Sequence, residues 1–265
     1  MTSPFSERLF RDKHVFVAGG SSGINLRIAQ RYAEAGARLS IFSRDPAKID
    51  AAVASIVDAG GSASGYTGDV RRYEAVEAAL ETAAQTNGEI DVVISGAAGN
   101  FVAPAATMSS NGFRAVVDID LVGTFHVFRA AYGRLRRPGA SLIAITAPQS
   151  RKPSMLQAHV CAAKAGIDML VKVLALEWGN EGIRVNAISP GPIADTEGMA
   201  RLAPNEAAAA AIRASLALGR YGEKDEIADA AFFLSSDAGR YVTGTILDCD
   251  GGTMLGSAVP ELGAR

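Results

Sequence analysis

Residues 14–25 read His14-Val15-Phe16-Val17-Ala18-Gly19-Gly20-Ser21-Ser22-Gly23-Ile24-Asn25. An apolar run enters a glycine-rich turn, and the turn opens a helical stretch that continues to about Ala35. Glycines in such a turn let the backbone come close to a pyrophosphate. The first N–H groups of the helix add donors and a favourable dipole. A glycine-rich turn alone says little; between a strand and a helix, at the head of a βαβ series, it marks a dinucleotide site. Gly19, Ser21, Ser22, Gly23 and Ile24 are the expected contacts. A glycine-rich connection without a ligand is the competing reading, and the strand–turn–helix context counts against it.

Working outward, apolar runs alternate with helical patterns almost to the end of the chain. Arg38 to Phe42 is a second strand-like run. Asp45-Pro46 then opens a helix, with Asp as N-cap and Pro at the first helical position. A third run ends at Thr67 and a helix follows from about Arg72. Asp91 to Ser95 is a fourth strand, and a long helix is expected over about Asn111 to Leu135. Ser141 to Ile145 is a fifth strand, followed by a helix to Trp178. Ile183 to Ile188 and Thr245 to Leu247 are the sixth and seventh. This alternation predicts an α/β fold of the Rossmann type: a doubly wound, parallel, seven-stranded sheet with helices on both faces. The order is continuous, so residues 1–265 are expected to form one domain. The alanine-rich segment at about 193–215 interrupts the alternation, either as a substrate-covering insertion or as a plain surface helix pair. The tail from Gly256 lacks periodicity and is expected to be loosely ordered.

Composition removes several classes. Of 265 residues, 48% are hydrophobic and 20% charged, enough for a large core. The net charge is -2 with no basic block, which argues against nucleic acid as a partner. No apolar run approaches the ~18 residues of a membrane span. The stretch from Met1 to His14 carries scattered charges and no apolar core, so no signal peptide is expected. Two cysteines, Cys161 and Cys249, suggest no disulfide framework and suit a reducing compartment. With three scattered histidines they make no zinc pattern, so no metal is expected. A cytoplasmic protein follows from these observations. The end of the second strand, Phe42-Ser43-Arg44, bears on the cofactor. An acidic residue there would bind ribose hydroxyls, whereas an arginine accommodates a 2′-phosphate. Arg44 favours NADP(H), and Asp45 is explained by its capping role.

These motifs resemble the short-chain dehydrogenase/reductase family. The first turn is similar to its Thr-Gly-x-x-x-Gly-x-Gly motif. Gly68-Asp69-Val70 resembles the adenine-contacting segment, and Ser95-Gly96-Ala97-Ala98-Gly99 the Asn-Asn-Ala-Gly motif. Ser189-Pro190-Gly191-Pro192-Ile193 resembles the segment beside the nicotinamide, and Asp250-Gly251-Gly252 the closing motif. The resemblance covers about residues 11–255. It implies cofactor contacts at Asp69, Val70, Ala97, Pro190, Gly191, Ile193 and Lys164. Two departures matter. Ala18 stands where Thr is usual, and Asn25 replaces the third glycine, where its side chain either crowds the pyrophosphate or donates to it.

The larger departure is catalytic. Family members reduce carbonyls with Tyr-x-x-x-Lys, two side chains on one helical face. Here the lysine is Lys164 and the tyrosine position holds Val160, which has no proton to give. The family's serine falls near Ala147, with Thr146 available if the register slips by one. Several segments are similar to peroxisomal-type 2,4-dienoyl-CoA reductases, which also lack that tyrosine. They include Asn100-Phe101-Val102-Ala103-Pro104, Asp118-Ile119-Asp120, Gln157-Ala158-His159 and Glu177-Trp178-Gly179. The mitochondrial type uses another tyrosine, whose position here is about Gln149. The resemblance implies NADPH-dependent reduction of a conjugated dienoyl thioester, with Asp120 and Lys164 as the catalytic pair. It also implies an acyl-CoA substrate and a homotetramer built through the helices at 111–135 and 154–179.

The residues themselves agree on Asp120. Phe113, Val117, Asp120, Thr124, Phe128, Ala131 and Leu135 recur at steps of three and four. Asp120 thus sits on a mostly apolar stripe, where a carboxylate is costly unless paired or protonated. The alternative is that it only hydrogen-bonds backbone; Asp118 lies off the stripe and is expected in solvent. His159 is one helical step from the tyrosine position, about 100° around the axis, and a packing role is expected. Arg71 either meets CoA phosphates or is a solvated charge. Phe101 either lines an acyl pocket or packs beneath the cofactor loop. Two other functions stay open: reduction of another activated carbonyl, and NADP(H) binding without catalysis. Convergence of Asp120 and Lys164 on one cleft discriminates between catalysis and its absence.

Overall fold

A computed structural model describes residues 9–196, 198–199, 203 and 205–256. Expectations for the first eight residues, for parts of the 193–215 segment and for the tail beyond 256 therefore lie outside the described residues. The central strands are buried on both faces, and this sets the architecture. In β1 (His14–Ala18) every residue is buried. Phe16 packs into one core with Phe42, Leu80, Phe128 and Val171. Its neighbours Val15 and Val17 face the opposite core with Ile28, Tyr32, Ile41 and Phe232. A sheet buried this way needs helices on both sides.

The other strands are β2 (Arg38–Ser43), β3 (Ser62–Thr67), β4 (Val92–Ser95), β5 (Ser141–Ile145), β6 (Arg184–Pro190) and β7 (Ile246–Cys249). Among the described residues they form one parallel sheet in the order β3-β2-β1-β4-β5-β6-β7. Register sets Ala18 opposite Phe42 on one side and Ser95 on the other. Chain order reverses between β1 and β4, and a crevice opens there beyond the carboxyl ends of the strands. The Rossmann-type expectation therefore holds, with strand ends shifted by at most two residues.

The helices are α1 (Gly23–Glu34), α2 (Pro46–Asp58), α3 (Tyr73–Asn87), α4 (Ser110–Val117), α5 (Gly123–Ala131), α6 (Ala158–Trp178), α7 (Glu206–Ser215) and α8 (Lys224–Ser235). Asp45 caps α2 as expected, its carboxylate accepting from the Lys48 N–H at 3.2 Å. The single helix expected over 111–135 is instead α4 and α5 joined by a π-helical turn, Asp118–Val122, with a 3-10 turn after it. Periodicity does not register the turn, because helix continues on both sides of it and the residues flanking it keep helical dihedrals. The apolar stripe is buried from Asp120 onward, whereas Phe113 at its start is exposed. Helix α8 was not expected, because its N-cap is Glu223 rather than Ser, Thr, Asp or Asn; Glu223 and Glu226 form a reciprocal capping box.

His14 makes the fold sensitive to acid. It is fully buried, with Nδ1–H donating to the Gly88 carbonyl at 2.9 Å and Nε2 facing the Ser40 hydroxyl at 2.9 Å. Burial above all, helped by the Arg38 charge, lowers its pKa from the ordinary 6.5; the Gly88 bond and Asp91 oppose this. The unfolded chain therefore takes up a proton that the folded chain refuses, and stability falls as pH drops through 6.5. Thermal melts from about pH 7.5 to about pH 5.5 should show a falling Tm. His14→Gln should lower Tm throughout, by about 1–3 kcal/mol of stability, yet flatten that slope. An unchanged slope in the variant would remove His14 as its cause.

Candidate active site

Two adjoining clefts lie over the crevice. The first, about 750 Å³, is lined by Gly19, Ser21, Ser22, Arg44, Asp69, Val70 and Ala97, all expected cofactor contacts. Gly19 has φ +78°, and a Cβ there would lie 2.7 Å from the Ala97 nitrogen. Only glycine lets the first turn sit this close to the β4 loop. Ser21 donates to the Ser43 hydroxyl at 2.8 Å, tying the turn to the end of β2. Arg44, Lys48 and Arg71 make the far end basic. Asp45 is spent on its cap, and Asp69 is gripped by Arg71, whose Nη2 donates at 2.5 Å. That hydrogen bond holds the Asp69 carboxyl below the usual carboxylate range. Arg71 thus lies at the far end of the first cleft.

The second cleft, about 570 Å³, is lined by Gly23, Ile24, Asp120, Val160, Lys164, Pro190, Gly191 and Ile193. Asp120 and Lys164 converge on it, the arrangement that discriminates catalysis from its absence. Their side chains are 1% and 8% exposed, and Lys164 Nζ stands 3.1 Å from Asp120 Oδ2. This is an ion pair without hydrogen-bond geometry, since Oδ2 takes no hydrogen bond and Nζ donates to the Ile145 carbonyl at 3.1 Å. The other oxygen, Oδ1, accepts the Gly99 N–H at 2.7 Å. The π-helical turn carries Asp120 on a helix wall otherwise apolar, and such turns recur at functional sites. The carbonyl of Asp120 takes the Thr124 hydroxyl at 2.7 Å, and the Ser95 hydroxyl donates to Thr124 at 3.1 Å.

The tyrosine position is apolar in space as in sequence: Val160 is buried on the cleft wall. Thr146 does not replace the family serine, because its hydroxyl is committed to Asp168 at 2.7 Å. Phe101 lines neither cleft; it packs on buried His159 with ring centroids 4.3 Å apart. His159 has the packing role expected, although neither ring nitrogen takes a hydrogen bond. Asp118 is half-buried. An amide chain went unforeseen. Gln149 donates to Gln157 at 3.2 Å and Gln157 to Asn100 at 3.3 Å, with Gln149 and Asn100 on the cleft wall. No sequence spacing links these residues; only folding brings them together.

The residues fit a nicotinamide dinucleotide. The Cβ-free approach at Gly19, the first turn of α1 and the basic residues line the first cleft, and Lys164 lines the second, which shares Ser22, Asn25, Gly96 and Ala98 with it. Known proteins agree. A family profile described as enoyl-(acyl carrier protein) reductase matches residues 18–254. The peroxisomal 2,4-dienoyl-CoA reductase [(3E)-enoyl-CoA-producing] of Arabidopsis thaliana is 41% identical, covering 96% of this chain and 89% of that protein. The probable 2,4-dienoyl-CoA reductase [(2E)-enoyl-CoA-producing] of Bacillus subtilis (strain 168) is 36% identical, covering 92% and 97%. The crystal structure of a dehydrogenase/reductase from Sinorhizobium meliloti 1021 superposes with a TM-score of 0.87 at 32% identity, covering 93% and 97%. A seven-stranded sheet of this order, a glycine turn at its switch point and these relatives together make the chain a member of the short-chain dehydrogenase/reductase family of oxidoreductases.

Proposed function

We propose that the protein is an NADPH-dependent 2,4-dienoyl-CoA reductase. One observation carries the reading: the tyrosine position is a buried valine, while a buried aspartate and the retained lysine stand 3.1 Å apart in the same cleft. A bound nicotinamide supplies hydride. The side chains then decide which acceptor can use it. An isolated ketone becomes an alkoxide and needs an acid at oxygen; Val160 offers none. A conjugated dienoyl thioester spreads the incoming charge onto its thioester oxygen as a dienolate, and the proton returns to carbon. Asp120 is placed to relay that proton, with Oδ1 anchored on the Gly99 N–H and Oδ2 facing the cleft lysine. Lys164 orients the cofactor ribose and keeps positive charge beside the developing enolate. The Arabidopsis and Bacillus relatives differ in the printed product, (3E)- against (2E)-enoyl-CoA.

The basic end of the first cleft supports NADPH over NADH. Arg44 stands at the end of β2, where it would hold a 2′-phosphate, and its neighbouring carboxylate is turned to the Lys48 backbone. Arg71 and Phe101 contribute to the site indirectly, Arg71 by neutralising Asp69 and Phe101 by packing against His159. Met169, Val173 and Leu176 are exposed along one face of α6, and Phe113 and Phe125 are exposed on α4 and α5. Apolar area of this kind favours burial between subunits, which supports the homotetramer that the family resemblance implies. Among the described residues no helix is long and apolar enough to cross a membrane. Cytoplasmic residence is part of the same reading, although the Arabidopsis relative is named peroxisomal.

NADPH oxidation should be followed with a trans-2,trans-4-dienoyl-CoA. Asp120→Ala and Lys164→Ala should each lower kcat at least about 100-fold, the scale of one lost acid–base group. Absence of turnover by the parent protein, with NADPH bound, would sink the dienoyl-CoA reading. Arg44→Ala should weaken NADPH binding about tenfold, as for a hydrogen bond to a charged group, and leave NADH nearly unchanged; equal losses would place the 2′-phosphate elsewhere. Light scattering after size exclusion should give four times the chain mass. Val173→Glu with Leu176→Glu should lower it, whereas a monomeric parent would exclude the tetramer.

A further inference from the structure

The two clefts share a seam, and Asn25 stands on it. Ser22, Asn25, Gly96 and Ala98 line both cavities. The family pattern has glycine at position 25. Here the side chain reaches across the crevice, and its Nδ2 donates to the Gly96 carbonyl at 2.8 Å. The contact is close along the whole amide: a Cβ on Gly96 would lie 2.2 Å from Asn25 Oδ1 and 2.4 Å from Nδ2. Gly96 is held from a second side by its own N–H, which donates to the Ala18 carbonyl at 3.0 Å. Three residues on, the Gly99 N–H fixes Asp120 Oδ1 at 2.7 Å. One side chain in the first turn of α1 therefore ties down the loop whose backbone orients the carboxylate.

The amide is there for its donor. Asn25 Oδ1 is buried without a hydrogen bond, and an orphaned acceptor is a cost. A small apolar side chain would fill the same room without that cost. The Nδ2 bond is what such a residue could not supply.

We infer that Asn25 is a positioning residue, a clamp that locks the 96–99 loop onto the glycine turn and so pre-forms the cofactor cleft and fixes Asp120. Only the part concerning Asp120 rests on the reductase reading; the clamp itself concerns binding. A loop left loose must be ordered when the cofactor arrives, and that ordering is subtracted from affinity.

The test uses the full chain and whichever of NADPH and NADH the parent binds more tightly, with the dissociation constant read by fluorescence. Asn25→Gly restores the residue of the family pattern. Asn25→Asp keeps the shape and removes the donor. Both should weaken binding about threefold to tenfold, the scale of one net hydrogen bond. Both should also speed deuterium exchange at the 96–99 amides of the cofactor-free protein, with β1 and β5 unaffected. Gly96→Ala should weaken binding in the parent, by displacing the amide, and add nothing further in the Asn25→Gly background. Parental affinity and exchange in both Asn25 variants would overturn the clamp, as would losses that simply add in the double variant. None of these readouts needs a thioester, so failure of the dienoyl-CoA assay leaves the result interpretable.

Discussion

A carboxylate and an ammonium taken out of water together must be held by something other than each other. The desolvation of both charges offsets their attraction unless the remaining polar atoms are also satisfied. Asp120 and Lys164 meet that condition in part, through backbone from two places. Asp120 Oδ1 takes the Gly99 N–H and Lys164 donates to the Ile145 carbonyl, while Oδ2 takes no hydrogen bond and has the lysine charge alone. The loop after β4 and the end of β5 must both be in place for the pair to exist. The sheet provides this, because its parallel strands end together and deliver those backbone groups to one crevice.

The pair also explains why the site tolerates Val160. A phenol at that position would place a donor where an alkoxide forms. The described cleft instead offers an apolar wall there and a carboxylate across from it. In the proposed reaction proton delivery moves from oxygen to carbon, and only a substrate that can delocalise charge in the interval benefits. The loss of one side chain and the placement of another thus narrow the chemistry in the same direction.

Much of this was legible beforehand, and the exceptions have physical causes. The strand–turn–helix at 14–34 depends on local chemistry, an apolar run and glycine, and local chemistry is what a sequence displays. Asp120 was visible because a carboxylate on an apolar stripe conflicts with its surroundings, and such conflicts mark function. The π-helical turn around it was not visible, since its residues have the composition of an ordinary helix. Helix α8 escaped because its cap is a glutamate pair. The amide chain of Gln149, Gln157 and Asn100 escaped because it is made by tertiary folding alone. Asn25 is an intermediate case: the departure from glycine was plain, but its partner lies 71 residues away.

Charge is arranged around the first cleft by the same economy. Two carboxylates stand near the position of an incoming phosphate, and each would repel it. Asp45 is drawn to the α2 N-terminus, where its charge complements the helix dipole. Asp69 is gripped by Arg71 at both oxygens, which cancels its field within the cleft and keeps its carboxyl ionised. The attraction of Arg44 and Lys48 for an anion is then not countered by either carboxylate. In the proposed site Arg71 therefore acts through the acid it neutralises. A basic residue beside a phosphate site does not have to touch the phosphate to make the site.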